Sequence, residues 1–111
     1  MKPIKNDLRI IDLLQRSVAT GNPCLDLSYE RLGDIGVLFL TRMKDLSHLT
    51  ELNLSWNELT NKGIEALAQC RSLNGLTTLI LDANEIEYDQ VLMIDADNVL
   101  TVKSNPLDFG Q

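Results

Sequence analysis

Apolar residues return along this chain at a fixed interval of 27 positions. Residues 49–59 follow the order L-x-x-L-x-L-x-x-N-x-L, and residues 76–86 repeat it with isoleucine in the last place. Residues 22–32 keep the leucines of the fourth, sixth and last places. A fourth copy follows the third after only 21 residues and is carried by Leu100, Val102, Asn105 and Leu107. Such regular self-similarity predicts an array of structural repeats.

Each copy predicts a short strand, because its paired leucines alternate with polar residues and one face is therefore buried. The segments between the first three copies carry apolar residues at helical spacing. These residues are Val37, Leu40, Met43 and Leu46 in one segment, and Ile64, Leu67 and Ala68 in the next. The segment after residue 86 is too short for a full helix, so residues 91–94 are predicted to form a single tight turn.

A helix is also predicted before the first copy. Asn6 is its expected N-cap and Gly21 its stop. The residues expected on its packed side are Leu8, Ile11, Leu14 and Val18, while Ile10 and Leu13 continue the 27-residue register backward. This segment is therefore interpreted as the helical half of one repeat, a capping helix over residues 1–21, with the repeats over residues 22–111.

One polar position inside the repeat is expected to be buried. Asn57, Asn84 and Asn105 occupy the same place, where the chain turns out of each strand. An amide has both donors and an acceptor, so stacked asparagines can satisfy backbone groups of their own turn and of a neighbouring turn. The first copy has Glu30 there, and because an ionised carboxylate cannot donate, its turn is expected to be partly solvated.

The spacing of the elements predicts a curved α/β architecture. Parallel strands stack about 4.8 Å apart, whereas helix axes need about 8–10 Å. An array of about four strand units, the third of them shortened, therefore bends with a short parallel sheet on the concave side and helices on the convex side.

The residues that carry this pattern resemble the leucine-rich-repeat family, and its ribonuclease-inhibitor-like subfamily in particular. The resemblance is strongest over residues 57–68 (NELTNKGIEALA), is partial over residues 32–37 (LGDIGV), and covers roughly residues 22–107. It implies a leucine-rich-repeat solenoid that recognises proteins on its concave strand face. Members of the family include inhibitors, innate immune sensors, regulators of small GTPases and effectors that bacteria deliver into host cells.

The composition narrows the function classes. A net charge of −6 disfavours nucleic acid and anionic membrane as partners, because both require a basic footprint. Cys24 and Cys70 are too few for a disulfide framework or zinc site and are expected to be reduced, buried or half-buried thiols, which suits a cytoplasmic protein.

His48 is the only histidine, and no catalytic, cofactor or metal motif is present, so the sequence does not predict an enzyme. Residues 82–86 open like a calcium loop but lack its third ligand and glycine.

The candidate binding residues alternate with the buried leucines or follow the strands directly. Tyr29 and Trp56 stand at equivalent positions, one residue before the turn position, and two adjacent aromatics are typical of an interface anchor. An equal alternative is that they only pack on each other and cover the turn. The predicted set comprises Asp26, Ser28, Tyr29, Glu51, Asn53, Ser55, Trp56, Thr78, Ile80 and Asp82, with Thr101 and Lys103 continuing the face.

Three functions remain open at this point. The first is a protein–protein interaction module that binds its partner through the concave strand face. The second is a truncated or self-associating structural segment, with the final strand as an open edge. The third is a non-catalytic regulator of a small GTPase or a delivered bacterial effector, which would act in the host cell. An acidic stretch from residue 72 to residue 102 could steer a basic partner, but a solvated surface is the favoured explanation.

Overall fold

The computed structural model describes residues 5–44, 46–86 and 101–103, in which helices and parallel strands alternate. The helices are α1 (Lys5–Ala19), α2 (Gly33–Thr41) and α3 (Asn61–Ala68), followed by a short 3-10 helix at Arg71–Leu73. The strands are β1 (Cys24–Asp26), β2 (Glu51–Asn53), β3 (Thr78–Ile80) and β4 (Thr101–Lys103). They form one parallel sheet in chain order. We call each strand with the segment that follows it a coil: residues 24–50, residues 51–77 and, over its described part, residues 78–86.

The strand register confirms the 27-residue repeat for the first three strands. Leu25 pairs with Leu52, and Leu52 pairs with Leu79. The predicted register of the fourth strand is wrong, because Leu79 lies opposite Val102 and not opposite Leu100. The error is two residues, which is one full period of side-chain alternation in a strand.

The core lies between the sheet and the helices. Strand and turn leucines pack in one cluster with apolar residues of all three helices. The predicted helix positions Val37, Leu40, Leu46, Ile64 and Leu67 are buried, and Met43 packs partly against them. Ala68 was predicted on this face but is exposed, and Ala66 packs against the core instead. Burial of these side chains is the main favourable contribution to folding.

Helix α1 differs from its prediction in two respects. Leu14 is buried as expected, but Ile10 is the second buried residue and Leu8 is 60% exposed. Two apolar stripes run along α1. The stripe that contains Ile10, which is in register with Val37, packs against the core. Asn6 lies inside the helix and is not its N-cap. The predicted stop is confirmed: Gly21 has a φ of 73° and donates from its N–H to the carbonyl of Val18 at 3.1 Å.

Both cysteines are free thiols, as expected, but only Cys70 has the predicted half-buried environment. Cys24 is exposed because it belongs to the outward-facing positions of β1. The predicted tight turn at residues 91–94 and the turn position Asn105 lie outside the described residues. Within the part of the chain that is described, no helix combines the length and apolarity needed to cross a membrane.

Candidate functional site

The turns that support the candidate surface are held by buried asparagines. Asn57 is fully buried, and its Oδ1 accepts from the backbone N–H groups of Glu30 and Leu32 in the preceding coil, each at 3.1 Å. Its Nδ2 donates to the carbonyls of Leu27 at 2.8 Å and Ser55 at 3.2 Å. One amide therefore contacts four backbone groups, of which the Ser55 carbonyl also accepts from the N–H of Tyr29 at 3.0 Å. The three groups of the preceding coil depend on the amide to offset the cost of desolvation.

Asn84 makes the same contacts one coil later. Its Oδ1 accepts from the N–H groups of Asn57 at 3.1 Å and Leu59 at 2.9 Å, and its Nδ2 donates to the carbonyl of Leu54 at 2.9 Å. The predicted asparagine ladder is confirmed for these two turns.

The first coil has a different arrangement at this position. Glu30 is half-buried, and its carbonyl accepts a hydrogen bond from Nη2 of Arg9 at 2.6 Å. Its carboxylate lies 3.7 Å from the same guanidinium. The expected partly solvated turn is confirmed, but sequence reasoning missed Arg9, since nothing in the repeat register relates a residue of α1 to this turn.

A second polar contact joins the first two coils on their helix side. Oδ1 of Asp34, in the first turn of α2, accepts from the N–H groups of Thr60 at 2.9 Å and Gly63 at 3.1 Å. Its Oδ2 accepts from the Thr60 hydroxyl, and Thr60 is the N-cap of α3. A Cβ at residue 63 would lie 2.6 Å from Oδ1 of Asp34, which explains the glycine there. Sequence reasoning missed this contact, although the 27-residue register places Asp34 beside the start of α3.

The outward-facing side chains of β1, β2 and β3, with the residues just after them, form what we call the open face of the sheet. Asp26 is exposed on it, and the remaining predicted strand residues are half-exposed with one exception. Ser55 is buried, so the structure removes it from the accessible surface. The half-exposed residues are Ser28, Glu51, Asn53, Thr78, Ile80 and Asp82.

Two side chains on the open face are held by local hydrogen bonds. Oδ1 of Asp26 accepts from the N–H of Ser28 at 2.9 Å and from its hydroxyl at 2.7 Å. Oδ1 of Asn53 accepts from the N–H of Ser55 at 3.0 Å. The two hydrogen bonds from Ser28 lower the pKa of Asp26, because they favour the ionised carboxylate more than partial burial opposes it.

Tyr29 and Trp56 form a stacked pair at the end of the strands. Their ring centroids are 5.5 Å apart and the ring planes differ by 11°. Tyr29 nevertheless remains 69% exposed and Trp56 49% exposed, so the two rings shield each other from solvent only in part.

The turn geometry places the two rings side by side. Tyr29, Trp56 and Ala83 are 27 residues apart and have φ values of 59°, 57° and 58°. A positive φ is unfavourable for residues with a Cβ, so the same strained turn recurs in each of the three coils. Ala83 carries no ring, and the aromatic column therefore consists of one pair.

The open face presents carboxylates, an amide, hydroxyls and the stacked aromatic pair. Within residues 5–44, 46–86 and 101–103, no group of three His, Cys, Asp or Glu side chains is placed to hold a metal ion.

Comparison with known proteins supports the interpretation of the chain as an array of repeats. The family model described as Leucine Rich repeat matches residues 45–68, a stretch that contains β2 and α3. No curated protein and no solved structure matches the chain significantly. The match supports a leucine-rich-repeat protein, and such domains are generally non-catalytic binding modules.

Proposed function

We propose that this leucine-rich-repeat chain is a protein–protein interaction module whose binding surface is the open face of the sheet together with the Tyr29–Trp56 pair. The observation that carries the proposal is the exposed aromatic stack. Large aromatic side chains are enriched among the residues that dominate interface energies, and they lose little conformational entropy when they bind. A stacked pair on rigid turns is already ordered before the partner arrives, which reduces the entropic cost of association.

We further propose that the coils stack into a curved solenoid of the ribonuclease-inhibitor-like kind, with the open face on its concave side. The support is the difference between the strand spacing of about 4.8 Å and the helix spacing of about 8–10 Å. The shared core of strands and helices forces both spacings into one array. A concave face presents the short side chains of neighbouring strands to a convex partner segment.

The proposed partner is another protein in a cytoplasmic compartment. Two free thiols suit a reducing environment, and a net charge of −6 disfavours nucleic acid and anionic lipid. The open face is lined by short side chains such as Asp26, Asn53 and Thr78, which leave a partner's backbone room to approach.

The test is a comparison of captured proteins between the wild type and the double variant Trp56→Ala/Asp26→Lys. Both positions are outside the core, so the variant is expected to keep its far-UV circular dichroism and to lose the partner identified by mass spectrometry. The matched control is Asp12→Lys on α1, which changes charge by the same amount on an exposed helix position and should retain the partner. An unchanged set of partners in the double variant would contradict the proposed surface.

Self-association through β4, the last strand in the sheet order, is the second candidate function. An exposed parallel edge can pair with a further strand. Sedimentation at increasing concentration tests it, and a strict monomer would rule it out.

A further inference from the structure

We propose that Tyr29, Trp56 and Asp26 together form a binding site for an arginine side chain carried by the partner protein. This inference rests on the proposed interaction function and names the chemistry that the open face recognises. The guanidinium would stack on the aromatic pair while its N–H groups donate to the Asp26 carboxylate.

The aromatic pair has the geometry of a cation platform. The two rings are stacked within 11° of parallel, and Tyr29 and Trp56 remain 69% and 49% exposed, so both residues keep part of their surface open to solvent. The face of an aromatic ring carries a negative electrostatic potential and attracts cations, arginine most often among the protein side chains. The guanidinium is planar and weakly hydrated, so it stacks on a ring at a smaller desolvation cost than an ammonium group.

The Asp26 carboxylate is anchored three residues before Tyr29 in the chain. Both hydrogen bonds that it accepts come from Ser28, the residue directly before Tyr29. Both bonds go to Oδ1, and Asp26 is exposed. Its Oδ2 can therefore accept from a donor that approaches from solvent. The same two hydrogen bonds lower the pKa of Asp26, because they favour the ionised carboxylate. The site therefore combines an aromatic platform with a fixed negative charge.

The distribution of charge selects the sign of the ligand and the side from which it approaches. The open face carries the carboxylates of Asp26, Glu51 and Asp82, and β1, β2 and β3 contribute no lysine or arginine. Lys103 belongs to β4, three strands from β1, a separation of about 14 Å at the usual strand spacing. A depression is lined by Arg9, Tyr29, Glu30 and Arg31. Two guanidinium groups against one carboxylate disfavour a cation there, so we place the ligand over the sheet.

Trp56 allows a direct test, because it is the only tryptophan in the chain. Its fluorescence is recorded while a short blocked peptide with arginines in a Gly/Ser background is added. A second peptide replaces each arginine by citrulline, which keeps the planar shape and removes the charge. We expect saturable binding of the arginine peptide and about fivefold weaker binding of the citrulline peptide, with the difference shrinking as salt is raised.

Two protein variants assign the charge contact. Asp26→Asn keeps the Oδ1 acceptor for Ser28 and removes the charge, so it should weaken the arginine peptide about fivefold and leave the citrulline peptide unchanged. Asp12→Asn on α1 is the control and should alter neither titration. Equal affinities for the two peptides, an unchanged affinity in Asp26→Asn, or no response to the arginine peptide up to about 10 mM would each overturn the inference.

These outcomes are distinct from failure of the proposed function. If the Trp56→Ala/Asp26→Lys variant loses its partner but citrulline and arginine peptides bind equally, the open face still binds protein and the cationic ligand is wrong. If the variant retains its partner, the proposed surface itself is wrong, whatever the peptides show.

Discussion

The boundary between α1 and the first coil and the boundary between the first and second coils are closed by different chemistry. Asn57 closes the second with a fully buried amide that contacts four backbone groups. Arg9 closes the first with a guanidinium that is about half exposed and binds the carbonyl and the carboxylate of Glu30. The same position of the repeat thus contains a buried amide in one coil and a solvated ion pair in the other.

The difference follows from the direction in which the asparagine acts. Oδ1 of Asn57 accepts from the N–H groups of Glu30 and Leu32, so the amide mainly binds backbone groups of the coil before its own. The element before the first coil is a helix, whose backbone groups are satisfied by its own hydrogen bonds. No turn precedes the first coil, so the side chain at position 30 has no N–H groups of a preceding turn to accept from. A carboxylate is therefore tolerated there. An asparagine is needed only where one turn stacks on another.

The largest effect is expected from Asn57→Ala. The change removes the amide partner of the Glu30 and Leu32 N–H groups and of the Leu27 carbonyl in the first coil, and the free energy of unfolding should fall by about 3–5 kcal/mol. Urea denaturation followed by circular dichroism measures the loss. Asn53→Ala, which removes a single half-exposed acceptor, should cost less than about 1 kcal/mol. A loss below about 1 kcal/mol in Asn57→Ala would mean that the ladder does not hold the coils together.

An intermediate effect is expected from Asp34→Ala, which opens the same boundary on its helix side. The variant removes the acceptor for Thr60 and Gly63 at the start of α3, and should destabilise the chain by about 1–2 kcal/mol. Asp34→Asn keeps the Oδ1 acceptor and should recover more than half of the loss in thermal unfolding. Equal losses in the two variants would show that charge, and not the N–H contacts, is responsible.

The smallest effect is expected from Arg9→Ala at the other boundary. Exposed ion pairs contribute little, so the free energy of unfolding should fall by less than about 1 kcal/mol, and the loss should shrink further at high salt. Arg16→Ala is the control, since Arg16 pairs with Asp12 inside α1 and does not touch the first coil. A loss in Arg9→Ala as large as that in Asn57→Ala would remove the contrast between the two boundaries.

The strands and the asparagine turns could be predicted from the sequence because each is a local pattern repeated at a fixed interval. Leu25, Leu52 and Leu79 occupy one register position, and Asn57 and Asn84 another. The fourth strand was misplaced by two residues because Leu100 and Val102 are both apolar. An alternating pattern fits equally well after a shift of two.

The remaining features depend on contacts between elements that the pattern does not encode. On α1 two apolar stripes compete, and only packing in the core selects Ile10 over Leu8. The contacts of Arg9 with Glu30 and of Asp34 with Thr60 join polar residues, which a hydrophobic repeat leaves unassigned. On the candidate surface the alternation placed Asp26 and Asn53 outward, but Ser55 lies after the strand, where alternation no longer determines exposure.

The positive φ angles of Tyr29 and Trp56 have a consequence for how the chain can change over time. Glycine and asparagine adopt this backbone conformation at lower cost than any aromatic residue. Selection for thermal endurance alone would favour those residues at both positions, whereas selection for binding would keep the rings. Under the proposed function, stability and binding are therefore opposed at these two residues, and a more stable descendant with glycine or asparagine there would bind the proposed partner less tightly.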